Sequence, residues 1–432
     1  MPRDVHRRDV LKGVGAAGVS VGLAGCNGNG GDDTATDTGD GDVTPTESDG
    51  EGDRAIQARV GVLLPETGDL GSLGTTIRDG ALLAATQVND ANVDVSVDTQ
   101  VEDTQTQPQA GVSGAEALVN AGYPAVVGSA SSNVNLTITR EVLIPNETVG
   151  MSPSSTAPAV SELDDNDYIF RTAPSDALQG PVLSQVADER VGASTTATLY
   201  LNDAYGQALE ESYVAACNER GIEVTNRVSL EPEQSSYSAQ WQDTLDGDPD
   251  TVMIVAFPAS GIQLFSDYYN DFAGDETIIV PDGLIDDNLP DEVDNDFQNV
   301  VGTSPASAGP GADFFASAYE EEYGSAPQVF NAQAYDAMAV YIMAQVAAGG
   351  DADGTTVRDN IRPVANPDGT EITPSNIVEG IESLRNGDSI NYQGASSSVD
   401  FDDKGDMKAV TYGIFEVEDR AFVEVDSIDF EN

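Results

Sequence analysis

Histidine is all but missing from this chain: its one copy, His6, sits near the N-terminus. That scarcity excludes Ser-His-Asp and Cys-His nucleophile pairs, HExxH zinc sites and most transition-metal sites from the rest of the sequence. Lysine is nearly as rare, confined to Lys12, Lys404 and Lys408. No basic cluster offers the electrostatic footprint that a phosphate backbone needs, so nucleic acid is not an expected partner. Cysteine occurs twice, at Cys26 and Cys217, which is too few for a disulfide framework. Cys217, within Ala215-Ala216-Cys217-Asn218, reads as a small buried helix residue. With no nucleophile paired to a base, no catalytic residue, cofactor or metal site is expected, and the chain does not read as an enzyme.

Acid is what the sequence has instead. Asp+Glu number 75 against 18 Lys+Arg, a formal charge of −57 spread over the whole chain. Such a shell repels itself unless molar salt shortens the Debye length to roughly 3 Å. That points to an extremely halophilic source. The 432 residues, 39% of them hydrophobic and 6% aromatic, predict a globular protein of two or three domains.

Residues 1–26 read as one export signal. Arg7-Arg8-Asp9-Val10-Leu11-Lys12 resembles the twin-arginine motif, with Val10 where phenylalanine is usual. From Gly13 to Gly25 the residues are small and apolar, too few for a bilayer span of about 20. Leu23-Ala24-Gly25-Cys26 resembles a lipobox, in which the cysteine thiol accepts a lipid. Residues 27–55 are mostly Asn, Gly, Asp, Thr and Ser, a composition that reads as a disordered acidic tether. The expectation is a head held at the extracellular face of the cell membrane by Cys26.

Beyond Ile56, apolar β-rich runs alternate with helical stretches, as in parallel βαβ units. Strands are expected at Val60–Leu64, Val93–Val97 and Pro124–Gly128, with helices over Ile77–Val88 and Ala110–Ala121. A second series follows Phe170-Arg171-Thr172: strand Thr196–Leu201, helix Gly206–Arg220, strand Glu223–Val228, helix Tyr237–Leu245 and strand Thr251–Ala256. Two doubly wound α/β units in tandem result. Ligands of such sheets bind beyond the carboxyl ends of the strands.

Six collinear landmarks carry a resemblance. They are Gly61-Val62-Leu63-Leu64-Pro65 with Thr67-Gly68, Val126-Val127-Gly128, Ser152 to Pro158, Phe170 to Asp176, Asn202-Asp203-Ala204-Tyr205-Gly206 and Asp400 to Asp406. Together they resemble the leucine/isoleucine/valine-binding family of type I solute-binding proteins. The resemblance implies two lobes with three crossings, near 175, 303 and 399: lobe I over 56–175 with 305–398, and lobe II over 178–302 with 400–432.

A free amino acid presents a carboxylate, an ammonium and a side chain. Gly128-Ser129-Ala130-Ser131-Ser132 follows a strand and opens a helix, where amides and hydroxyls favour an anion. Ser132 is the candidate carboxylate anchor, although serines in such turns often only cap helices. By resemblance, Ser154 and Thr156 add a carbonyl for the ammonium and a bridging hydroxyl, Tyr205 closes over the ligand, and Asp282 pairs with the ammonium. Read alone, Asp282 in Val280-Pro281-Asp282-Gly283 is an ordinary turn residue. Phe257 stands where relatives often place tyrosine, and Leu73 where some carry tryptophan.

The expected function is that of a monomeric solute receptor delivering a branched-chain or similar apolar amino acid to ABC permease and ATPase subunits. No Walker loop is present, so ATP hydrolysis falls to a partner. Short amides, urea and other small acids stay open as ligands, as does a sensing role. Asn135 and Asn146 open sequons that could be glycosylated.

Overall fold

The computed structural model describes residues 55–431, apart from Asn92 and Pro367. The export signal over 1–26, the anchor Cys26 and the tether over 27–55, apart from Ala55, lie outside the described residues. No helix among those described is long and apolar enough to cross a membrane.

The strands are β1 (Ile56–Leu64), β2 (Val95–Asp103), β3 (Ala125–Gly128), β4 (Val149–Ser152), β5 (Ile169–Arg171), β6 (Thr195–Leu201), β7 (Glu223–Leu230), β8 (Thr251–Val255), β9 (Thr277–Val280), β10 (Val300–Pro305), β11 (Thr370–Ile372), β12 (Ile390–Tyr392), β13 (Ala409–Glu418) and β14 (Ala421–Glu431). They form a five-stranded sheet in the order β2-β1-β3-β4-β5 and a seven-stranded sheet in the order β14-β13-β10-β9-β8-β6-β7, with β11 and β12 as a separate pair. The first sheet is parallel throughout. In the second, β7 to β10 are parallel, and the hairpin β13–β14 adds to β10 antiparallel. This is the two-lobed type I periplasmic-binding-protein fold, each lobe an α/β sheet with helices packed on it.

The central strands of each sheet are apolar runs because helices shield both faces there. Strand β8, Thr-Val-Met-Ile-Val, is buried at every residue. The helix Asn331–Ala347 belongs to the first lobe and is buried from Asn331 to Val346, as expected of a helix apolar on all sides. Its Tyr341 hydroxyl donates to the carbonyls of Val126 in β3 and Val149 in β4, binding it to the sheet.

Two boundaries differ from the sequence expectation. The first helix runs Gly71–Asp90 and so begins six residues before Ile77. Gly71 and Gly74 stand ahead of the expected start; a Cβ at Gly74 would lie 1.9 Å from the Pro65 carbonyl oxygen, so glycine is what lets this turn pack there. The third crossing, expected near 399, falls later. Asp402 still accepts from Arg362, Phe401 from Asn366, and the Gly405 carbonyl from the Arg171 amide, so the chain stays with the first lobe until about Met407.

Arg171, fully buried at the end of β5, organises this region. Its Nε donates to Asp406 Oδ1 at 2.6 Å, Nη1 to the carbonyls of Ser155 and Ala157, and Nη2 to Ser161 Oγ. It thereby holds the loop after β4 against the strap leading to β13.

Candidate functional site

In both sheets the strand order reverses at a switch point, between β1 and β3 in one and between β6 and β8 in the other. The loops that leave the carboxyl ends of these strands face one another. In the first lobe β3 ends at Gly128 with φ 134°, where a Cβ would fall 2.0 Å from the Leu63 carbonyl oxygen. Glycine therefore sets the path into Ser129–Ser132. Ser132 opens the helix Ser132–Ile138, and its hydroxyl accepts the Ala157 amide at 3.2 Å. The neighbouring loop is folded by Ser152, whose Oγ donates to the Ser129 carbonyl and accepts the Ser155 amide. The hydroxyls of Ser129, Ser154, Ser155 and Thr156 are buried and have no hydrogen-bond partner. Four buried hydroxyls without partners are unusual, because such groups are nearly always satisfied by protein, water or ligand.

In the second lobe Asp203 caps the helix Ala204–Arg220 by accepting the Gly206 amide, which places Tyr205 in its first turn. The Tyr205 ring stacks on Phe257, with centroids 5.4 Å apart and planes at 5°. Its hydroxyl donates to Asp282 Oδ2 at 3.3 Å. Asp282 follows β9 in a single helical turn, is 3% exposed, and leaves Oδ1 without a partner. Burial pushes its carboxyl up to about 6. A carboxylate engaged with a tyrosine 77 residues away is placed for more than its own turn.

Leu73, Ser132, Ser154, Tyr205, Phe257 and Asp282 line one cavity. Thr156 is buried beside them without lining the cavity. Leu70, Ile77 and Phe330 complete an apolar wall that sequence reasoning missed. Phe330 has φ 65° at the start of the helix Asn331–Ala347, and nothing in its local sequence pointed to the cleft. Asn135 accepts the Ser129 amide and is 2% exposed, so its sequon is closed to glycosylation in the folded protein.

The lobes also touch at the rim. Asp69, on the first lobe, accepts the Ser260 amide at 2.7 Å through Oδ1, the Ser260 hydroxyl at 2.9 Å through Oδ2, and the Ala259 amide at 3.2 Å through its carbonyl. It thus caps the second-lobe helix Pro258–Asp267 from across the cleft. Burial pushes the Asp69 carboxyl up to about 6. Ser72 adds a contact to Asp286 at 2.6 Å.

Residues 57–375 match the family model described as periplasmic binding protein. Among curated proteins, the substrate-binding protein BasB of a chemotactic signal transduction system in Halobacterium salinarum is 25% identical over 352 residues, covering 79% of this chain and 82% of that one. The branched-chain amino acid transporter substrate-binding protein LivJ of Streptococcus pneumoniae, solved with isoleucine, superposes with TM-score 0.72 at 17% identity over 86% of this chain and 99% of its own. A solute-binding protein of an R. palustris ABC transporter, solved with benzoate, superposes with TM-score 0.71 at 14% identity over 87% and 98%. At these identities the superpositions establish the fold.

Proposed function

We propose a function from one premise: this chain belongs to the periplasmic binding protein family. It is an extracytoplasmic solute-binding protein of the ABC-transport type, related to the branched-chain amino acid receptors. In our reading the solute is a free amino acid with an apolar side chain. The observation that carries this is the cavity itself, which sets unpartnered hydroxyls on one lobe against an unpartnered Asp282 oxygen on the other. Ser132 would anchor the carboxylate, the Ser154 carbonyl and Asp282 would take the ammonium, and the Thr156 hydroxyl would bridge the two ends, while Leu73, Phe257 and the Tyr205 ring would enclose the side chain. The lobes would be 56–175 with 305–398 and 178–302 with 400–432, the last adjusted for the later crossing.

A ligand gripped by both lobes favours the closed state by its differential affinity for it. Small-angle scattering in molar salt should show the radius of gyration fall when a saturating cognate amino acid is added. An unchanged radius would argue against closure on the ligand. Calorimetry with the twenty amino acids, urea, short amides and benzoate identifies the solute.

The closed head would be read by a permease and its ATPase. A second reading is a ligand sensor for a signalling partner, favoured by the chemotactic role named for the halobacterial relative. Either role suits a head anchored by lipid on Cys26. Cys26→Ser should leave export intact and release the protein into the medium. A substituted protein that fractionates wholly with the membrane would refute this anchor.

A further inference from the structure

A second cavity is walled by both lobes. Val329 lines it while its neighbour Phe330 lines the solute cavity, and Ile285 lines it two residues after Gly283 lines the other. Val329 and Pro327 belong to the first-lobe loop that leads into the helix Asn331–Ala347. Ile285, Phe415 and Phe422 supply the second-lobe wall, the last two from the hairpin β13–β14. Pairing in that hairpin sets Phe415 opposite Glu424 at a bulge. Gly413 leaves room for both: a Cβ there would lie 2.8 Å from the Phe415 ring and 3.0 Å from Glu424 Oε2.

Two carboxylates share this apolar lining, Asp287 and Glu424, and no Lys, Arg or His does. Asp287 Oδ1 accepts the Phe422 amide at 3.1 Å. Glu424 has neither a hydrogen bond nor an ion pair among the described residues. Burial pushes both carboxyls above the usual carboxylate range, although both residues keep contact with water. A negative recess with apolar walls asks for a cation that carries apolar surface. A bare divalent ion takes about six oxygens or more, and molar potassium screens the bare charge. An organic cation gains in addition from the apolar area it buries.

We propose that this cavity is a regulatory site for a small organic cation with an apolar body, and that its occupant holds the lobes together and so tightens solute binding. One molecule can touch both walls only while they keep this spacing. The spacing is that of lobes joined at the rim, where Asp286, next to Asp287, accepts from the Ser72 hydroxyl. A cation that prefers this arrangement shifts the lobes toward it, and the solute then meets lobes already closed. The effect is reciprocal, so the solute tightens the cation by the same factor. The site stands without any particular solute, whereas the coupling rests on the solute-receptor reading.

The test is calorimetry in molar KCl with 2-phenylethylammonium, its neutral match 2-phenylethanol and its anionic match 3-phenylpropanoate. Wild type should bind the cation more tightly than the alcohol, and the anion least. Glu424→Gln should weaken the cation roughly 3- to 10-fold, leave the alcohol unchanged and bind the solute alone as wild type does. Asp287→Asn, which keeps an acceptor for the Phe422 amide, should weaken the cation likewise and serves where the first variant does not fold. The cation at saturation should tighten, by roughly 5-fold or more, whichever solute the titrations with amino acids, urea, amides and benzoate identify. Cation, alcohol and anion bound alike, or a cation affinity unmoved in the folded variants, overturns the site. Displacement of the cation by the solute overturns it too, since that puts the cation in the solute cavity. Binding of both with no mutual effect overturns the coupling. A protein that binds the cation as described and none of the solutes refutes the receptor reading and leaves the site standing.

Discussion

Asp282→Asn is expected to weaken binding of the cognate amino acid by roughly 10- to 150-fold, the equivalent of a charge-assisted hydrogen bond of about 1.5–3 kcal/mol. The substitution keeps the shape of the side chain and an acceptor for the Tyr205 hydroxyl. It removes the negative charge next to Oδ1, the atom left without a partner. A ligand lacking the ammonium, such as the matching 2-oxo acid, should lose little affinity or gain some. The competing view, that Asp282 shapes the turn after β9, predicts the opposite pattern. Asparagine is a good turn residue and would leave both ligands unaffected. Calorimetry on both proteins with both ligands decides, and equal amino acid affinities would end the assignment.

Arg171→Met is expected to destabilise the protein by about 3–5 kcal/mol, because it strands Asp406 and the Ser155 and Ala157 carbonyls that the buried guanidinium satisfies. At roughly 2–4 °C per kcal/mol for a domain of this size, the melting midpoint should fall by about 6–20 °C. Thermal melts in molar salt check it, and a midpoint within a degree or two of wild type would refute the role. Arg171→Met combined with Asp406→Leu should recover part of the loss, since a buried pair replaced by apolar groups costs less than a broken one. Ligand affinity should drop in the single variant as well. The loop that Arg171 secures carries Ser154 and Thr156.

The alternating fold was legible because parallel strands such as β8 must be apolar on both faces, which leaves a plain trace in the sequence. Helix ends were less so. The turn Gly71–Gly74 looks like a loop until Pro65 is seen lying against it. The hairpin β13–β14 has strands of half-exposed, charged residues whose pairing with β10 no local pattern announces. In the site, Ser132, Ser154, Tyr205, Phe257, Asp282 and Leu73 were singled out and converge on one cavity. Phe330 was not, because a burial imposed by distant segments leaves no periodic signature. The Asp69–Ser260 contact spans 191 residues and is equally silent in the sequence.

That contact has a kinetic meaning. In the proposed cycle a solute would enter while the lobes stand apart, with Asp69 and the first amides of the helix Pro258–Asp267 facing water. It would leave only after the three bonds from Ala259 and Ser260 to Asp69, and the bond from Ser72 to Asp286, had opened. Entry would then be left to diffusion while departure is slowed, so that the rim would lengthen the dwell time of a captured molecule without touching it. A membrane partner that unloaded the protein would have to part this edge first.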